Sequence, residues 1–155
     1  MATADDAPGA DPFALSRFLA AQEGTYEDAL RELAAGQKRS HWMWFVFPQI
    51  AGLGTSPTAQ RYAITGLAEA RAYLEHPVLG ARIVESTGAV NKVEGRSALQ
   101  IFGSPDNLKF CSSMTLFERV AGPGSAFSSA LDKYYAGKRD AATIRLIRTD
   151  GPAHP

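Results

Sequence analysis

The helix punctuation of this chain constrains its fold more than any other feature. Asp11-Pro12, Ser56-Pro57 and Ser104-Pro105 each join a capping residue to proline, and Thr25 precedes "YEDALRELAAG", which Gly36 closes. An Asp, Ser or Thr side chain accepts a bond from an unpaired amide at a helix start, and proline at the first helical position removes an amide that would be orphaned there. Four such starts in 155 residues specify several short helices.

The segments between them agree. Phe13, Leu15, Phe18 and Leu19, then Tyr26, Leu30 and Leu33, recur at helical spacing, and "LAEARAYLEHP", "VLGARIVESTGAV" and "SAFSSALDKYYAG" carry apolar residues three and four apart. No clean alternating run is bounded by hairpin turns. The expectation is an all-α (mainly α) fold, one compact domain of about seven to nine short helices with at most a minor strand near the aromatic run. That domain spans 11–148, flanked by segments 1–10 and 149–155, which are poor in core formers and expected to be disordered tails.

Charge and cysteine usage narrow the partners. Sixteen basic residues balance sixteen acidic ones, so no whole-molecule field gathers nucleic acid or an anionic membrane. The single cysteine, Cys111, and three scattered histidines lack the paired spacing of a zinc site, so neither metal nor cofactor is expected. The acidic start "MATADDAPGAD" is unlike a secretory signal, and the longest apolar run, Trp42 to Phe47, is far short of the ~20 residues that span a bilayer. The expectation is a cytoplasmic protein, a monomer or weak homodimer.

Two stretches could carry chemistry. In "KRSHWMWFVFPQIAGLG", Lys38 to Gly54, the run "HWMWFVF" demands burial on both sides whether it is helical or extended, and a buried indole would find a partner in Gln49. Lys38, Arg39 and His41 lead into this run, and Gln49, Gly52 and Gly54 follow it. Helix-start amides near Pro57, with Arg39 or Lys38 beside them, would suit a phosphate; the alternative is a plain turn with a Ser56 cap. In "FGSPDNLKFCSSMTLF", Lys109 shares a helix face with Ser112 or Ser113, a grouping that can grip a phosphate, while the commoner use of such small hydroxyls is to let helices pack closely. Glu69 and His41 are the acid–base candidates. Glu69 beside Arg71 also reads as a surface pair, and His76 before Pro77 as a helix-end cation.

"SHWMWFVFPQIAGLGTSPTAQRYAI", "EARAYLEHPVLGARI" and "IFGSPDNLKFCSSMTLF" occur in the order seen in the bacterial and fungal domain of unknown function 1810 family, which this chain resembles from about Asp11 to Ile147. The resemblance implies a compact, mainly helical domain and names no reaction. Some members have carried the label calpastatin, but the chain has no repeated inhibitor segments. Two functions are weighed. One is binding, with hydrolysis as an extension, of a phosphorylated small molecule such as a nucleotide or ADP-ribose-like ligand, between the 38–54 element and the 104–117 helix. There Trp42 or Trp44 would stack its flat part and Lys38, Arg39 and Lys109 would hold its charge. The alternative is a non-catalytic protein-interaction or adaptor module, which requires a large exposed apolar patch.

Overall fold

The computed structural model describes residues 11–150, which form ten helices and no strand. These are α1 (Ser16–Gln22), α2 (Tyr26–Ala34), α3 (Met43–Val46), α4 (Pro57–Arg61), α5 (Leu67–Glu75), α6 (Leu79–Asn91), α7 (Ala98–Phe102), α8 (Asp106–Ala121), α9 (Ala126–Tyr135) and α10 (Ala141–Asp150). The fold is the all-α single domain expected from sequence. Its helix count passes nine because α3, α4 and α7 are single turns of four or five residues. The minor strand reduces to one parallel bridge, Ile50 to Ile64. Helix α10 includes 149–150, placed from sequence in a tail; the expected tails over 1–10 and 151–155 lie outside the described residues.

The helix starts follow their caps, with three differences, the first being that α2 begins after Thr25 as expected although the Thr25 side chain accepts no bond from the helix amides. Ser56 Oγ accepts from the Ala59 amide with Pro57 at the first helical position, and Gly36, at φ +76°, ends the turn after α2. Asp11 does cap, its two carboxylate oxygens accepting from the Leu15 and Ser16 amides, but α1 begins only at Ser16 because Ala14 turns the chain at φ +52°. At the third site the Ser104-Pro105 peptide is cis. Helix α8 begins at Asp106, and the Pro105 carbonyl, not the Ser104 side chain, accepts from the Leu108 and Lys109 amides.

Helix α8 is the axis of the domain, packed by α5, α7, α9 and α10 and touched by α3. Residues 112–117 are buried on all sides of it, the all-round burial that the aromatic run leads one to expect of itself. Ser112, Ser113 and Thr115 make this feasible, because small side chains admit neighbouring helices. Ser112 Oγ and Thr115 Oγ1 donate back to the Leu108 and Cys111 carbonyls. Around α8 the rings of Phe47, Phe102 and Phe110 meet at 4.6–6.1 Å, and Tyr73, Phe117 and Phe127 continue the core.

The aromatic run is buried only in part. Trp42, Met43, Val46 and Phe47 lie in the core, whereas Trp44 and Phe45 remain half-buried. The reason is that a single helical turn, α3, flanked by residues of non-helical backbone, sends Trp42 and Trp44 in different directions. Trp42 Nε1 donates not to Gln49 but to Glu32 of α2, at 2.9 Å. The same carboxylate accepts from the Arg39 amide, the Ser40 amide and Ser40 Oγ. Partial burial would raise this carboxyl, but the bonds from Ser40, Arg39 and Trp42 outweigh it and hold the group down at about 2.

A carboxyl lowered on folding stabilises the native state above its unfolded value, and that stabilisation is lost as pH falls toward the folded one. Glu32→Gln should therefore cost about 2 kcal/mol at pH 7, after discounting for partial exposure. In urea titrations the gap between wild type and variant should close between pH 5 and pH 2. A constant gap across that window would show that charge on Glu32 contributes nothing.

Candidate functional site

The two stretches singled out from sequence line one cleft. Trp44, Gln49, Leu53, Gly54 and the Thr55–Ser56 turn form one wall, while Pro105, Leu108, Lys109 and Ser112 of the α8 start form the other. Asp140 and Ala142, at the start of α10, close one end, and the cleft holds about 420 Å³. A smaller cavity of about 110 Å³ adjoins it, sharing Trp44, Gln49, Gly54 and Ala59 and adding Gly52 and Tyr62.

Lys109 and Trp44 define the chemistry at this junction. The Lys109 ammonium stands 4.9 Å from the Trp44 ring centroid, cation over π-face, and 3.6 Å from Asp106. The Gln49 side-chain amide lines both cavities and bonds to no described residue, while its backbone carbonyl accepts from the Ile64 amide at 2.8 Å. Ser112 Oγ stands 3.2 Å from both the Leu108 carbonyl and the Asp140 carboxylate, which share its one hydrogen.

The remaining sequence candidates lie elsewhere or are committed to the fold. The Lys38 side chain is only 7% exposed, pairs with Asp106 at 2.9 Å and sits 5.0 Å over the buried Trp42 ring. It braces the loop from behind and does not line the cleft. Arg39 and His41 are exposed and line neither cavity. Trp42 is core, and Ser113 is buried, its Oγ without a partner among the described residues.

Glu69 is neither a surface pair with Arg71 nor a cleft residue. It is 1% exposed, with Oε1 accepting from the Thr65 amide and hydroxyl and Oε2 paired with Arg17 at 2.9 Å. Arg17 also donates to the carbonyls of Phe13, Ala14, Arg61 and Ala63, so this pair ties α1 and the 61–63 turn to the start of α5. His76 is a cap, its Nδ1 accepting from the Val78 and Leu79 amides before α6.

The glycines and the short helix change the phosphate reading. A side chain at Gly52, φ +104°, would press on Leu146 of α10 at 3.1 Å, and one at Gly54 would meet Ala59 Cβ at 2.6 Å. Both serve close packing of the cleft wall. Helix α4 is one turn long and its Ala59 amide is already taken by Ser56, leaving little dipole for an anion.

Sequence reasoning missed Glu32, which carries no periodic signal toward Ser40, and Asp140. The latter was findable, since an Asp three residues before Thr143 and ahead of "IRLIR" is an N-cap pattern. Cys111, beside this site on α8, is half-buried; burial and then the Asp140 charge push its thiol up to about 11, against a bond with Thr115, so it is a poor nucleophile. Among the described residues no group of His, Cys, Asp and Glu could hold a metal ion, and no helix is long and apolar enough to cross a membrane.

Fold and site together define a small, single-domain, all-α protein with an open cleft beside its central helix. The chain belongs to the family described as protein of unknown function (DUF1810), whose model matches residues 12–147. It is also similar to a solved structure, the conserved hypothetical protein Rv1873 from Mycobacterium tuberculosis, at 55% identity and a TM-score of 0.87 over 88% of this chain and 98% of that one. No curated protein matches it.

The two lysines should separate in stability measurements. Lys38→Ala leaves Asp106 without its close partner and should cost about 2 kcal/mol, toward the low side of broken buried pairs because Lys109 remains near. Lys109→Ala should cost less than about 1 kcal/mol, as expected of a part-exposed pair. Equal losses in urea unfolding would overturn this division between a bracing and a cleft-facing lysine.

Proposed function

We propose that the protein binds a phosphorylated small molecule with a flat ring, such as a nucleotide or an ADP-ribose-like ligand, in the cleft between the 44–56 segment and the start of α8. The observation that carries this is that Trp44, Gln49, Gly54, Lys109 and Ser112, drawn from two segments about sixty residues apart, line the same cleft. Trp44 offers the stacking surface, Gln49 an unbonded amide, and Lys109 the charge.

The geometry favours binding over turnover. Both acid–base candidates are outside the cleft, Glu69 buried in a structural pair and His41 on the surface, so no hydrolytic role is assigned to either. The alternative, a protein-interaction or adaptor module, would use an apolar patch. Among the described residues the exposed large hydrophobics are Val78, Val84, Leu99 and Leu108, spread over α6 and its cap, α7 and α8. The setting belonging to this proposal is a bacterial cytoplasm, with the protein a monomer or weak homodimer.

Only two tryptophans are present and Trp42 is buried, so Trp44 reports cleft occupancy through its emission. Titration with AMP, ADP and ADP-ribose should give saturable quenching that Lys109→Ala weakens about tenfold, the loss of one charged contact of about 1.4 kcal/mol. An unresponsive, folded wild type across this panel would overturn the proposal and turn attention to partner proteins.

A further inference from the structure

We infer that Asp140 recognises a vicinal diol in this cleft and that the diol is the ribose of a nucleotide, an assignment resting on the small-molecule reading above. Asp140 stands just ahead of α10 and is held in one orientation. Its Oδ2 accepts from the Thr143 amide at 3.0 Å and from Thr143 Oγ1 at 2.6 Å, and shares the one Ser112 hydroxyl hydrogen, at 3.2 Å, with the Leu108 carbonyl. Its own amide donates to Thr115 Oγ1 at 2.9 Å. One carboxylate oxygen is thus saturated, whereas Oδ1 accepts no hydrogen bond from any described residue, and the residue lines the cleft.

A carboxylate presents acceptors only, so its ligand must bring donors. Phosphate oxygens and the acceptor atoms of a base bring none, whereas paired hydroxyls do; acidic side chains hold ribose hydroxyls in this way in dinucleotide-binding folds. Charge points the same way. Lys109 and Asp140 are the charged residues of the lining and cancel, and behind them Lys38 and Asp106 also cancel, so a phosphate gains little from the net field. Discrimination then falls on directional bonds. A fixed carboxylate left unpaired in the cleft penalises any ligand without hydroxyls there. With the ring on Trp44 and the phosphate toward Lys109, the sugar is the part left for Asp140.

Trp44 quenching by AMP, 2′,3′-dideoxy-AMP and ribose 5-phosphate tests this. In wild type, dideoxy-AMP should bind at least about tenfold more weakly than AMP, and ribose 5-phosphate more weakly than AMP because it has nothing to stack. Asp140→Asn, which keeps a helix-capping oxygen, should bring AMP down to the level of dideoxy-AMP. Equal affinity of wild type for AMP and dideoxy-AMP would overturn the diol while leaving nucleotide binding intact. Ribose 5-phosphate binding as tightly as AMP would overturn the assignment of the diol to a nucleotide, and silence with all three would overturn both this inference and the reading beneath it.

Discussion

One carboxylate, Glu32, decides where the chain can go between α2 and the aromatic run. Four donors converge on it, two amides, a hydroxyl and an indole N–H, all from residues 39–42. Without it those donors would need water or other partners, and Trp42 could not be buried at no exposure with its nitrogen satisfied. With Trp42 seated, the single turn α3 is oriented, Phe47 reaches Phe110 at 4.9 Å, and Trp44 is left facing the cleft. A charge at one helix surface thereby sets both the core contact of one tryptophan and the exposure of the other.

The second constraint is α8. Its buried middle is crowded with Ser112, Ser113 and Thr115 where bulkier residues would hold α5, α9 and α10 apart. The same residues knit α8 to α10, since Ser112 reaches the Asp140 carboxylate and Thr115 accepts from the Asp140 amide. Close packing and the cleft end are therefore one arrangement. Of these hydroxyls Ser112 both packs and lines the cleft, while Ser113 lies wholly in the interior.

Helix content was legible because capping and periodicity are local: "SPTAQR" behaves as its Ser56 cap says, and "TYEDALRELAAG" is helical over Tyr26–Ala34 by its periodicity although Thr25 makes no side-chain cap. What local pattern could not supply was the pairing between distant residues. Lys38 and Arg39 look alike in sequence, yet one is locked onto Asp106, 68 positions away, and the other is exposed. Glu69 resembles a surface residue beside Arg71 until Arg17 arrives from α1. The two tryptophans are likewise equivalent in composition, and only Glu32, ten residues before Trp42, distinguishes them. Gly52 and Gly54 suggested an anion loop, whereas the requirement at both is room for Leu146 and Ala59.

The fate of the cations determines what kind of recognition the cleft can perform. Of the three once grouped there, Lys38 is neutralised behind the wall, Arg39 is elsewhere on the surface, and Lys109 is shared among Trp44, Asp106 and the cleft. A site built from clustered free cations would attract any polyanion and lose its grip steeply with salt. This cleft has one cation, one carboxylate, one amide and one half-buried indole, so it gains little from bulk charge and much from fitting donors to acceptors. On the proposed small-molecule reading such a site would select by shape and hydrogen-bond pattern, which is a physical reason to seek a ligand among small polar molecules with a flat ring rather than among nucleic acids or anionic surfaces.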